Sequence, residues 1–306
     1  MSYLREDVLA RGREVLKTVN NGLYDGVPYS RLDTVQDSDK MFEMIQNANL
    51  GEGDIMSSGF LRSGNHWVFE IVGHIMKQEM RDDRDDQMFR TLEFMGAEAE
   101  SRINSLPSPK VITSHMRMTH LPKKIREGKV KLIYVMRNPK DAMTSWYRLL
   151  NETKIAADGF HGTWEEFLEV SYSGEIQWGS WFDHILTAEK FMQDYPDCPV
   201  HIVQYEMLKE DPVREIKALC EFLGRTDVDV EQLALATSFA KMKEKRGAAI
   251  QHTESLLKDG CAGMMVKGTI GGWRERFTVE QSERFDRIFD LKMAGSKLAE
   301  RFRKYM

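Results

Sequence analysis

The chain has 306 residues, 42% of them hydrophobic and 30% charged, which are ordinary values for a soluble globular protein with room for a sizeable core. A formal net charge of -5 offers no global attraction to nucleic acid or acidic membranes, so any anionic ligand must be held by local basic residues. The three cysteines, Cys198, Cys220 and Cys261, are an odd number without metal-ligand spacing; they argue against a disulfide framework and fit a reducing, cytoplasmic compartment.

The N-terminus, MSYLREDVLARGREVL, is charged throughout and lacks the apolar centre of a secretory signal. Glu6, Asp7 and Glu14 also speak against a transit peptide. No run approaches the roughly 20 apolar residues needed to cross a bilayer. Residues 1–50 read as a helix followed by a loop through YDGVPYSRL, where Gly26 and Pro28 break regular structure, the whole wrapping the outside of the core.

From Asp54 to Met76 the sequence predicts a strand, a small polar loop from Arg62 to His66, and a helix with apolar residues at Trp67, Val68, Ile71, Val72, Ile75 and Met76. Such a turn presents backbone N–H groups at the positive end of a helix dipole, which suits a phosphate or sulfate. The usual phosphate loop has Lys followed by Ser or Thr after its last glycine, whereas Asn65 and His66 follow here. Taken alone, the loop fits a plain strand-to-helix turn equally well. The charged run QEMRDDRDDQ, from Gln78, reads as solvated surface of the kind that forms substrate lids.

Val111, Ile112 and Thr113 predict a short strand that delivers Ser114 and His115 at its carboxyl end. VKLIYVM, Val130 to Met136, is the near-continuous β-branched and aromatic run of a buried parallel strand. Arg137, Asn138 and Pro139 end it and Asp141 opens a helix, so Arg137 and Ser145 lie at and after a strand's carboxyl end, where open α/β sheets bind ligands. Two helices around Gly174, a strand from Val200 and a helix with Pro212 at its start and Gly224 past its end follow. The residues after Leu223 read as a long functional loop, and Thr278 caps the last helix, with Gln281 three residues on and Phe285, Ile288, Phe289 and Met293 on its buried face. This alternation predicts one α/β domain over residues 1–306, with a central parallel sheet flanked by helices and a P-loop-like strand-loop-helix motif.

In order along the chain, FLRSGNHW, His115 after its strand, YVMRNPKDAMTSWY, GTWEEFLE, WGSWFDHI, PVHIVQYEMLKEDP, TSFAKMK and VKGTIGGWRERFTVEQSERFD resemble the cytosolic sulfotransferases. The resemblance covers nearly the whole chain. It implies transfer of a sulfuryl group from 3′-phosphoadenosine 5′-phosphosulfate (PAPS) to the hydroxyl or amine of a small acceptor, leaving adenosine 3′,5′-bisphosphate (PAP), without a metal. It also implies that Arg62, Ser63, Gly64, Asn65 and His66 hold the 5′ end, that Trp67 stacks on adenine, and that Arg137 and Ser145 hold the 3′-phosphate. Lys267 and Gly268, in a donor-covering loop over residues 240–277, would close on that phosphate, and Tyr205, Thr237 and Phe239 would line the adenine site. His115 would be the general base, a role imidazole suits near neutral pH, and Arg62 the cation that meets charge developing on the leaving oxygen. Phe94 would face the acceptor, and Arg274, Thr278, Val279 and Glu283 are similar to the family's dimer motif.

Several positions depart from the family pattern. Arg62 stands where the family has lysine, Thr113 replaces a second lysine, Val266 replaces an arginine, and Gly272 replaces an aspartate before Trp273. Trp67 and Phe94 also fit ordinary core positions, His66 fits a helix start that lends only its N–H, and His120 fits a loop residue. Two other functions remain on this reading. One is a nucleotide-binding homologue without catalysis, motivated by Arg62, Thr113 and Val266. The other is a kinase, for which the sequence shows neither a Lys-Ser/Thr pair nor an evident Mg²⁺ carboxylate at a strand end.

Overall fold

The computed structural model describes residues 3–19, 21–30, 38–78, 90–152, 160–242, 244 and 268–306. The first part of the chain forms α1 (Glu6–Leu16), β1 (Asn21–Tyr24), β2 (Val27–Ser30), α2 (Ser38–Gln46), β3 (Ile55–Ser58) and α3 (Asn65–Ile75). Then come α4 (Ala99–Ser105), β4 (Val111–Ser114), β5 (Lys131–Met136), α5 (Pro139–Glu152), α6 (Trp164–Ser173) and α7 (Trp181–Asp194). The last elements are β6 (Val200–Gln204), α8 (Tyr205–Glu210), α9 (Pro212–Leu223), α10 (Val230–Ala236), α11 (Val279–Lys292) and α12 (Lys297–Glu300). They gather into two compact units, one of Leu32–Arg137 and Lys190–Thr253, the other of Met1–Arg31, Asn138–Glu189 and Glu254–Met306.

In the first unit β4, β3, β5 and β6 lie side by side in that order as a parallel sheet. Period-two alternation puts Ile55, Val111, Ile133, Val135 and Val203 on one face. There they pack against Val68, Ile71, Val72 and Ile75 of α3 and Ile216, Leu219 and Leu223 of α9. Each such buried side chain contributes about 1.5–3 kcal/mol of hydrophobic stabilisation. The apolar spacing of α3 therefore fixes its face to the sheet and leaves its N-terminus at the carboxyl ends of β3 and β4. This is the predicted central parallel sheet flanked by helices.

The second unit is helical, with one hairpin. A break at Gly26 and Pro28 is the sequence expectation, but the structure has β1 pairing with β2 there, Tyr24 opposite Val27. Asp25 and Gly26 between them have φ of 48° and 72°, the two left-handed residues a type I′ turn demands. Pro28 is tolerated because a two-stranded ribbon has only edges. Helix α1 lies so close to α6 that a Cβ at Gly12 would stand 2.7 Å from Val170 Cγ1. The buried Glu169 carboxylate ties this unit together, accepting the backbone N–H of Arg5 at 2.9 Å and a bidentate contact from Arg284 of α11.

Helix α5 begins at Pro139, two residues before the predicted start, because the fixed φ of proline is pre-organised for a first helical position. The predicted loop after Leu223 contains α10, capped by the Asp229 carboxylate, which accepts the Gln232 N–H at 2.9 Å. Thr278 forms the expected capping box with Gln281. Most of the charged run from Gln78 lies outside the described residues, as does 245–267. Among the described residues no helix is long and apolar enough to cross a membrane.

Candidate active site

The loop between β3 and α3 is built on two unusual backbone positions. Gly64 has φ 98°, and a Cβ there would come 2.7 Å from Tyr205 Cδ2, so only glycine fits. Arg62 takes φ 63°, a left-handed conformation costing roughly 1–2 kcal/mol for a residue with a side chain. The Arg137 guanidinium braces it, Nη1 donating to the Arg62 carbonyl at 3.0 Å. Intrahelical bonding starts with the Trp67 and Val68 N–H groups, both donating to Gly64. The N–H groups of Gly64, Asn65 and His66 therefore precede the helix's own ladder, as an anion cradle requires.

Arg137, Tyr205 and Trp67 come together beside this loop. The Arg137 guanidinium carbon lies 4.3 Å from the Tyr205 ring centroid, and Tyr205 meets Trp67 edge-on at 5.8 Å. Trp67 is also half-buried against the core cluster, as its core reading expects. Thr237 is buried and its hydroxyl donates to the Leu233 carbonyl at 2.8 Å, closing α10. The half-buried Phe239 has Lys209 Nζ 5.4 Å from its ring centroid. His66 lies half-buried in the first turn of α3, and His120 is buried in a short 3-10 turn rather than exposed in a loop.

His115 follows β4 directly. Its Nδ1 is 3.1 Å from the Gly59 carbonyl, and since a carbonyl only accepts, Nδ1 donates to it and Nε2 is the ring nitrogen outside that bond. Asn65 Nδ2 lies 3.3 Å from the same Nδ1 and spends its protons on the carbonyls of Phe60 at 2.9 Å and Gly59 at 3.3 Å. A Cβ at Gly59 would stand 2.2 Å from the Val135 carbonyl oxygen, so glycine is required there as well. The cradle and the imidazole thus share Gly59, which the sequence reading gave no role, and Asn65, which it placed at the anion site alone. Phe94 meets the imidazole edge-on, with ring centroids 6.4 Å apart.

Residues 52–297 match the family model described as the sulfotransferase domain. The chain belongs to the sulfotransferase family. It is 34% identical over 279 residues to sulfotransferase 1A1 of Mus musculus, covering 88% of this chain and 94% of the relative. With sulfotransferase 1C2 of Rattus norvegicus it shares 31% over 270 residues, or 84% and 88% of the two chains. Among solved structures it resembles mouse sulfotransferase SULT7A1 complexed with PAP, with a TM-score of 0.74, 26% identity and coverage of 94% and 99%. Retinol dehydratase in a complex with retinol and PAP, at a TM-score of 0.77 and 17% identity, shares the fold.

The loop of this sulfotransferase fits an oxyanion. Ser63 Oγ and Trp67 Nε1 are buried donors without a hydrogen-bond partner among the described residues. Both flank the cradle N–H groups. Ser145 and Gly268, the latter at φ 57°, belong to the helical unit, and Lys267 lies outside the described residues. Thr113, at the position of a family lysine, is fully buried, and its hydroxyl also has no hydrogen-bond partner among those residues.

Three contributors escaped the sequence reading: Gly59, Glu93 and Asp141. Glu93 is a buried carboxylate that accepts the His115 N–H. The available signal was a single acid between two apolar residues in LEF. Asp141 accepts the N–H groups of Gly271 and Trp273 and so fixes the chain just after Gly268.

Proposed function

We propose that this sulfotransferase transfers the sulfuryl group of PAPS to the hydroxyl or amine of a small acceptor, with His115 as general base. The observation that carries the reading is the Gly59 carbonyl. It leaves the loop that forms the cradle and holds His115 Nδ1–H, so the basic Nε2 is set beside the anion site.

PAPS supplies an activated sulfuryl group and, as PAP leaves, takes up negative charge on the bridging oxygen. The chain's own groups do the rest. The N–H groups of Gly64, Asn65 and His66, with Ser63, hold the 5′ oxyanions. Arg62 would offer a cation to the bridging oxygen. Arg137, Ser145, Lys267 and Gly268 bind the 3′-phosphate, Arg137 as a planar fork. Trp67, Tyr205, Thr237 and Phe239 take the adenine, and Phe94 faces the acceptor. As the acceptor oxygen or nitrogen forms its bond to sulfur and the bridging S–O bond breaks, His115 Nε2 takes the acceptor's proton.

We read residues 1–306 as one catalytic domain with an N-terminal wrap over 1–50 and a donor-covering loop over 240–277. A homodimer through Arg274, Thr278, Val279 and Glu283 also fits, since Val279 is 76% exposed at the start of α11. Sedimentation velocity on Val279→Glu would show a monomer if so. A cytoplasmic location follows the family, and imaging of a tagged chain checks it.

The decisive experiment measures PAP affinity and sulfuryl transfer to a panel of phenols, alcohols and amines, with EDTA present. Turnover lost in His115→Ala with PAP affinity retained supports the reading. Tight PAP binding with no turnover on any acceptor overturns it in favour of a nucleotide-binding homologue. Sulfuryl transfer on this reading has no metal step to lose, so EDTA should leave the rate unchanged, whereas a kinase would lose its activity.

A further inference from the structure

The groups that orient a base matter as much as the base, because a misplacement of about 1 Å in a reacting group can cost roughly 100-fold in rate. His115 is attached to the sheet at the end of β4, between the buried Ser114 and Met116. Strand β4 is an edge strand of the sheet, and its register with β3 ends at Ser114 opposite Ser58. Among the described residues no further strand lies on that side to pair with the backbone N–H of His115 and the turn that follows.

Glu93 takes that place. It is 3% exposed and lies in a short 3-10 turn, Leu92–Phe94, whose first neighbour Thr91 bridges in parallel to Thr113 of β4. Its Oε1 accepts the His115 N–H at 2.6 Å and its Oε2 accepts the Ser114 hydroxyl at 2.9 Å. The Ser114 oxygen in turn accepts the Met116 N–H at 3.1 Å. One carboxylate thus fixes the backbone of three consecutive residues, 114–116, at the point where the imidazole departs.

Burying a carboxylate costs several kcal/mol unless it is well hydrogen-bonded, and satisfying one N–H needs no more than a neutral oxygen. A carboxyl group offers an acceptor oxygen at each end, where an amide offers one, and this corner uses both. The next residue, Phe94, lays its ring edge-on to the imidazole. The same turn therefore holds His115 from the backbone side and from the ring side.

We propose that Glu93 is a positioning residue for the transfer reaction, acting through the backbone of Ser114, His115 and Met116 to aim His115 Nε2 at the acceptor. The proposal rests on His115 as the general base. The hydrogen bonds of Glu93 go to Ser114 and His115 and, among the described residues, none goes to the donor loop, so its loss should appear in kcat and leave PAP affinity alone.

The test is a double-mutant cycle on the full chain, reading kcat, acceptor KM and PAP affinity by calorimetry. Glu93→Ala should lower kcat by about 100-fold with PAP affinity unchanged. Glu93→Gln, which keeps the shape but can accept at only one atom, should fall between it and wild type. In the His115→Ala background neither change should lower the residual rate further, because the group they aim is gone. If Glu93→Ala fails to fold, the same cycle is run with Glu93→Gln. A wild-type kcat for Glu93→Gln, or an equal loss from the Glu93 change with and without His115, overturns the proposal. A wild-type rate for His115→Ala alone sinks the base assignment itself, whatever the Glu93 variants do.

Discussion

Asp141 and Trp273, 132 positions apart in the chain, are joined by a 2.8 Å hydrogen bond from the Trp273 N–H to Asp141 Oδ1. The other carboxylate oxygen accepts the Gly271 N–H, also at 2.8 Å. One buried side chain at the start of α5 therefore fixes both ends of the Gly-Gly-Trp corner, just after Gly268. The Asp of RNPKD thus anchors the late loop.

Asp141→Asn should test that anchor. The amide would turn an NH₂ group towards one of the two N–H donors and leave it unpaired, a loss of about 1–3 kcal/mol. Urea unfolding should show it, and PAP should bind more weakly, because Gly268 loses its fixed point. Unchanged unfolding would show that the corner is held by its other contacts.

Gly64→Ala should weaken PAP binding and stability together. The new methyl would carry φ 98° and stand 2.7 Å from Tyr205 Cδ2, pushing away the ring that stacks on Arg137. The backbone penalty alone is about 1–2 kcal/mol. Calorimetry with PAP and thermal unfolding read the two effects separately.

Much of this was legible in the sequence, because it is written in local periodicity. VKLIYVM could only be a strand buried on both faces, and the spacing from Trp67 to Met76 set one face of α3 on the sheet. What was illegible depends on residues far apart in the chain. Glu93 becomes informative only when β4 brings His115 to it, and Asp141 only when the Gly-Gly-Trp corner arrives beside it. Gly59 reads as a spacer until the approach of the Val135 carbonyl shows that no side chain fits. Gly26 and Pro28 both read as a break, and only the cross-strand pairing of β1 with β2 shows a hairpin there.

Lys140 gives the protein an alkaline signature. Its side chain is fully buried, with Nζ 2.6 Å from Asp286 Oδ1, 2.8 Å from Ser282 Oγ and 4.3 Å from the Trp273 ring centroid. Burial lowers its pKa from 10.5, with Asp286 opposing the shift and Arg274 adding to it. Between the folded and unfolded pKa values the unfolded chain holds more protons, so this group makes stability rise with pH there. The urea midpoint of the wild type should therefore gain on that of Lys140→Met as pH climbs towards 10.5. A constant difference would mean that Lys140 titrates alike in both states.

Arg62→Lys asks whether the cradle has been rebuilt around arginine. Arginine and lysine have unbranched stems of similar backbone preference, so the left-handed φ of 63° should cost the variant no more than the wild type. The brace from Arg137 reaches the main-chain carbonyl of Arg62 and does not depend on its side chain. What changes is the charge: a planar fork with five donors becomes a compact ammonium that can sit on a single oxygen. Because charge develops on one bridging oxygen, Arg62→Lys should keep or raise kcat. Arg62→Ala, which removes the cation, should lower kcat by about 100-fold or more. Steady-state rates with saturating PAPS decide it. A fall of more than about tenfold for Arg62→Lys, equivalent to ~1.4 kcal/mol of barrier, would mean that the fork itself grips the donor and that lysine no longer suits this loop.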